Sequence, residues 1–273
     1  MNRLARAALL LAAIAVPTLP LAAQHAGHAS HKPAPPADPI AAAVAAPSRS
    51  AANMARDKYR HPAETLAFFG VAPDQTVVEF SPSGGWYTEI LAPLLRETGT
   101  LYALQPSGRY LDGYRKFLAA KPDVYDKVKL VPFPDQTAMI PAGSVDTLLT
   151  FRNVHNMVMA GTEAAAFKTF YDLLKPGGTL GIVDHRLPED RDAALEKSSG
   201  YLKVSTIRRL AEAAGFEYVG ASEINANSRD TADWPKGVWT LPPTLANGEA
   251  DKAKYLAIGE SDRMTLKFRK PAK

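Results

Sequence analysis

Short apolar runs recur along the chain at 76–80, 100–104, 128–131, 145–150, 179–183, 216–222 and 264–268. Bounded by glycine, proline or polar turn residues, they predict seven strands. Between them, apolar positions return at helical spacing over 62–69, 85–96, 111–119, 163–174 and 204–214. Pro62 opens the first of these helices, and Gly70 and Gly215 stand just past two helix ends. Phe167, Phe170 and Leu174 fall on one helical face, and Lys175-Pro176-Gly177-Gly178 reads as a turn. Strands and helices alternating at short spacing predict an α/β domain, doubly wound, with a mostly parallel seven-stranded sheet and helices on both faces. Between the last two strands, residues 222–262 carry little helix or strand pattern. A connection of about forty residues is read as a lid rather than as filler.

The N-terminus departs from this pattern. Arg3 and Arg6 precede an apolar stretch broken by Pro17 and Pro20, and Leu21-Ala22-Ala23 offers small residues for cleavage. Residues 1–23 therefore read as a secretory signal peptide, too short and interrupted for a membrane span. Removing it lowers the formal charge from +4 to +2, because two arginines leave with no acid. The expected location is outside the cytoplasm, in the periplasm, with no stable membrane insertion. Residues 24–47, rich in Ala, Pro and His, read as a disordered tether. His25, His28 and His31 there either bind a transition metal weakly or simply fall in a soluble linker. There is no cysteine, so disulfides and lipoprotein attachment are excluded and the domain at 48–273 must rest on its core. Lys and Arg are scattered among acids, which speaks against a nucleic-acid partner.

The chemistry begins at Val77-Val78-Glu79-Phe80-Ser81-Pro82-Ser83-Gly84-Gly85-Trp86-Tyr87. An apolar run ends in a carboxylate, passes a turn of small residues and enters a helix, the arrangement that presents backbone N–H groups to a nucleotide ligand. Phe151-Arg152-Asn153-Val154-His155-Asn156 follows a buried strand on the edge where such sheets bind ligands. His155 suits a general base, and Arg152 suits a two-pronged hold on a carboxylate or phosphate. The same residues can instead be a network capping the next helix. Asp184-His185-Arg186 ends the fifth strand and points to the same edge. In the lid, Asn225, Asn227, Trp234 and Trp239 are expected to contact substrate, and its Asp/Asn spacing does not follow a calcium loop. No zinc spacing, nucleophilic triad or phosphate-loop lysine is visible, so no metal is expected.

The order of elements resembles the class I S-adenosylmethionine (SAM)-dependent methyltransferase superfamily over about 56–270. The first loop, the stretch 144–156, Leu173-Leu174-Lys175-Pro176-Gly177-Gly178 and the strand ending at Asp184 carry it. Arg60-His61-Pro62-Ala63-Glu64, Gly85-Trp86-Tyr87-Thr88-Glu89 and Gly237-Val238-Trp239-Thr240 are similar to segments of a family of exported predicted methyltransferases. The resemblance implies an antiparallel C-terminal strand, SAM as cofactor and methyl transfer to a small-molecule acceptor. It places the cofactor's methionine portion over Ser81, Ser83, Gly84, Gly85 and Tyr87, with Glu79 near its amino group. From their residue types and their place at the strand ends, His155, His185, Arg152 and Asn153 are the candidate catalytic set. Gln105 stands where such folds commonly hold a ribose-binding acid, which forgoes charge-assisted bonds roughly twice as strong as neutral ones. Asp135 either faces the adenine or is an exposed turn acid. Export away from the cytosol, where SAM is made, leaves two other readings open: a small-molecule-binding module, and a lyase or hydrolase using His155 and His185.

Overall fold

The computed structural model describes residues 38–272. The predicted signal peptide and the His25/His28/His31 stretch lie outside the described residues. The strands are β1 Thr76–Phe80, β2 Thr100–Pro106, β3 Lys129–Phe133, β4 Val145–Phe151, β5 Leu174–His185, β6 Glu217–Ser222, β7 Pro235–Val238 and β8 Arg263–Arg269. All but β7 form one sheet in the order β3-β2-β1-β4-β5-β8-β6. Parallel pairing joins β3 through β5, and β8 runs antiparallel to both β5 and β6. The fold class and the antiparallel C-terminal strand are as expected.

The helices are α1 Pro39–Val44, α2 Ala51–Met54, α3 Asp57–Arg60, α4 Pro62–Phe69, α5 Thr88–Leu95, α6 Arg109–Ala119, α7 Pro122–Tyr125, α8 Val154–Ala160, α9 Glu163–Leu173, α10 Val204–Ala213 and α11 Lys252–Ile258. Successive strand residues serve opposite faces, as the pleat requires. Val77, Leu101, Leu149 and Val183 pack with α1, α4 and α5. Val78, Leu148, Leu180 and Ile182 pack with α9 and α10. Each fully buried Leu or Phe in these layers stabilises by roughly 1.5–3 kcal/mol. The close fit shows at Gly181, where an added Cβ would meet the Phe69 ring and Leu149 at 2.8 Å.

Four expectations are corrected. The tether read over 24–47 already has structure from Asp38, whose side chain accepts the Ile40 N–H at 2.9 Å to cap α1. Ile40 and Ala43 then join the core beside α5; six Ala-rich residues with two buried positions give no periodic signal. The first long helix starts at Thr88 rather than 85, because 82–87 make a turn with Gly85 N–H donating to Pro82 O. Lys175-Pro176-Gly177-Gly178 lies within β5 as an irregularity: Val145 pairs Leu174, and Thr147 pairs Thr179. The stretch at 154–160 is a helix, closed by Gly161 at φ 67°.

The segment read as a lid is a built wall. Ala232 and Val238 bury against Leu187 and Tyr201. Leu241, Tyr255 and Ile258 form another apolar cluster. Asp230 ties the segment inward by accepting from Tyr201 Oη, Trp234 Nε1 and the Asp262 N–H.

Candidate active site

The strand ends converge on a cavity of about 870 Å³, lined by Phe80, Gln105, Phe133, Phe151 and His185 at the carboxyl ends of β1 to β5. This is the crevice where strand order reverses about β1 and β4, the usual ligand position in such sheets. Its volume lies in the range of small-molecule sites. Ser81 and Ser83 line it together with Arg152, Asn153 and His155, so the two sequence motifs share one hollow.

On the β1–β2 side, Glu79 is buried, and burial raises its carboxyl to about 7, against the pull of the Thr88 hydroxyl that donates to it at 2.6 Å. Ser81 and Ser83 hold φ of 53° and 52°, a left-handed backbone that costs a residue with a Cβ roughly 1–2 kcal/mol. Ser83 N–H donates to Gln105 Oε1 at 3.0 Å, while Gln105 Nε2 is buried with no partner among the described residues. That orphaned donor, the buried carboxyl of Glu79 and the space beside them fit a ligand with ribose hydroxyls and an ammonium group. Tyr87 also lines the cavity, stacked on Phe151 at 3.5 Å and 9°.

Three expected cofactor contacts fall elsewhere. Gly84 and Gly85 do not line the cavity; Gly85, at φ 76°, lies where a Cβ would strike the Phe117 ring at 2.3 Å, so its role is packing. Asp135 is exposed and accepts from Ser107 Oγ at 2.7 Å; Ser107 and Pro134 form the rim instead.

On the β4–β5 side, Asn153 Nδ2 donates to the carbonyls of Phe80, Ser81 and Phe151 at 3.1–3.3 Å. It is a clamp between the tips of β1 and β4, and it also lines the cavity. His155 Nδ1 lies 2.8 Å from Asp184 Oδ1, and its backbone N–H reaches Oδ2 at 3.1 Å. The fully buried Asp184 also accepts the His185 N–H at 2.8 Å. A carboxylate at Nδ1 sets the tautomer and leaves Nε2 as the basic nitrogen. His185 sits 5.1 Å from His155, ring to ring, with its Nδ1 2.5 Å from Ser261 Oγ. Burial, then the neighbouring His155 and the guanidinium charges of Arg152, Arg263 and Arg60, hold His185 well below the usual histidine range, so it is neutral.

Beside the histidines, Glu260 takes Arg56 at 2.6 Å and Arg60 and Arg263 at 3.2 Å. Burial alone would raise its carboxyl, but the three arginines hold it at about 2. Burial lowers Arg60 to about 9 and Arg152 to about 10, values at which both guanidinium groups stay charged. Glu260 and Ser261 were not singled out in the sequence; Asp184 was, as part of the strand end Asp184-His185-Arg186, and Arg60 only within a resembling segment. Asp184 repeats the strand-end carboxylate pattern of Glu79 and was legible by that analogy; the others carry no local signal.

Of the substrate contacts expected in the 222–262 segment, Trp239 lines the cavity, its ring 6.3 Å from His155. The rest are structural. Asn225 donates to Thr65 and Thr265 hydroxyls, Asn227 to the carbonyls of Ile258 and Glu260, and Trp234 to Asp230. Arg186 is tied to Asp262 and Glu223 outside the cavity.

His155, Asp184 and His185 present atoms within 4.8 Å of one another, a spacing a metal can bridge. Asp184, however, already accepts three N–H groups there, and arginine charge bears on His185. The donor set suits an oriented base better than a cation.

No family model and no curated protein matches the chain. Solved structures do. A SAM-dependent methyltransferase from Aquifex aeolicus aligns at TM-score 0.56 with 16% identity, over 85% of this chain and 98% of that one. The [4+2]-cyclase SpnF aligns at 0.52 with 15% identity, over 78% and 83%. An arsenic(III) SAM methyltransferase from Chlamydomonas reinhardtii aligns at 0.50 with 15% identity, over 87% and 74%. At such identities the likeness is one of architecture: the chain has the class I SAM-dependent methyltransferase fold.

Proposed function

We propose that the chain binds SAM and directs its methyl group to a protic oxygen or nitrogen of a small molecule, as an exported enzyme. The observation that supports this most is the single cavity joining the first-loop serines, Glu79 and Gln105 to the Arg152–His155 corner. Glu79 would face the cofactor's ammonium, Gln105 Nε2 a ribose hydroxyl, and Ser81, Ser83 and Tyr87 the remainder. When bound, SAM supplies an electrophilic methyl group and leaves as a neutral thioether. His155, oriented by Asp184, takes the acceptor's proton at Nε2. Trp239 and Pro242 cover the cavity, and Arg152 aligns the acceptor; alignment alone can contribute much of the rate.

The leader pattern of residues 1–23 supports export. Among the described residues no helix is long and apolar enough to cross a membrane. Calorimetry of the purified chain tests the reading: SAM and S-adenosylhomocysteine should both bind, and no heat up to millimolar ligand would remove the cofactor. The likeness to a [4+2]-cyclase favours a second reading, in which this cavity rearranges a substrate without methyl transfer. Bound SAM that is never demethylated in the presence of a metabolite extract would select it.

A further inference from the structure

The arginines at the acceptor end are unequally satisfied. Arg56, Arg60 and Arg263 share Glu260, and the oxygens of Asp184 take N–H groups of the two histidines. Arg152 lines the cavity, yet no hydrogen bond or ion pair engages its side chain among the described residues. Its backbone holds φ 62°, where glycine would relax the chain, so a long cation is kept at a strained position. Four guanidinium groups thus gather near two carboxylates. Arg152 is half-buried, so its unmatched charge is partly shut off from water and a counter-ion would complete the pair. Flat walls lie close by: Tyr87 stacked on Phe151, and Trp239 across from His155.

We propose that Arg152 is the anchor for a carboxylate on the acceptor, and that the acceptor is a small planar aromatic acid carrying the protic group presented to His155. One planar guanidinium fork with no other partner among the described residues matches one two-oxygen group. The aromatic walls match a ring. The inference deepens the methyl-transfer reading by naming its acceptor class, but the binding step stands without it.

Calorimetric titration of the purified full chain with benzoate and with benzamide, its neutral near-isostere, tests it. Benzoate should bind at least tenfold more tightly than benzamide. Arg152→Gln should erase that preference while the Kd for S-adenosylhomocysteine changes less than twofold, and Arg152→Lys should restore part of it. A thermal melt of each variant checks that the fold is retained, and the lysine variant answers for the glutamine variant if that one fails to fold. Equal binding of the two probes, or an unaltered preference in both variants, overturns the proposal. So does inorganic phosphate displacing benzoate at lower concentration. If the loss falls on S-adenosylhomocysteine instead, Arg152 serves the cofactor's own carboxylate and the proposal is wrong. Benzoate preference without any S-adenosylhomocysteine binding would support this inference and sink methyl transfer.

Discussion

Gln105 Oε1 accepts the Ser83 N–H at 3.0 Å, so the tip of β2 holds the first loop through the oxygen that an acid would otherwise offer to ribose. Its nitrogen is left to donate, without charge. Gln105→Glu keeps an acceptor for Ser83 and supplies a charge-assisted acceptor for hydroxyl groups. We expect S-adenosylhomocysteine to bind roughly five- to tenfold more tightly to this variant, a gain of about 1 kcal/mol, read by calorimetry.

Glu79 links stability to pH. Its ordinary carboxyl value of 4.5 rises to about 7 in the fold, chiefly through burial. Between these values the native state holds a proton that the unfolded chain has lost, so stability falls as pH rises from 4.5 to about 7. The loss amounts to roughly 3 kcal/mol. Glu79→Gln removes this titration. Urea unfolding should find the variant more stable than the parent at pH 8 by up to about that amount, and the two alike near pH 4.

The His155–Asp184 pair separates chemistry from binding. His155→Gln should lower S-adenosylhomocysteine release from a metabolite extract by about 10²–10⁴-fold, the usual worth of a positioned base. Its calorimetric Kd for S-adenosylhomocysteine should stay within twofold. Asp184→Asn should lower turnover similarly by losing the tautomer. It should also destabilise the fold by about 2–4 kcal/mol, because a buried acceptor of three N–H groups is disturbed.

Strain in the first loop should be recoverable. Ser83→Gly relaxes a φ of 52° and sacrifices a weak 3.3 Å contact to Ser81 O. Urea unfolding should show a gain of about 0.5–1 kcal/mol. A loss would mean that the Ser83 hydroxyl has a structural duty in the absence of ligand.

The sheet was legible because seven short apolar runs and their turns report local pleating and burial, which neighbouring residues decide between themselves. The β1 and β4 corners were legible for a related reason: ligand edges in such sheets follow strand ends. What sequence spacing missed was long-range. Asn225 and Asn227 looked like substrate contacts because they are polar and lie outside any helix pattern, yet their partners, Thr65, Thr265, Ile258 and Glu260, are set by tertiary folding. Gly85 looked like a cofactor glycine, but what excludes a side chain there is Phe117, on α6. Arg60 and Ser261 belong to the site only because the two ends of the domain meet there.

That meeting has a consequence for how the protein comes into being. Glu260 knots Arg56 and Arg60 to Arg263, so the cavity's inner wall joins residues 200 positions apart. Contacts so distant along the chain form late, after the nearby ones. A nascent polypeptide that lacks 259–273 also lacks β8, the strand between β5 and β6, so the sheet's far edge and the chamber's inner wall both wait for that segment. Ligand capture by this molecule is therefore a signal that residues near 60 and near 260 have met.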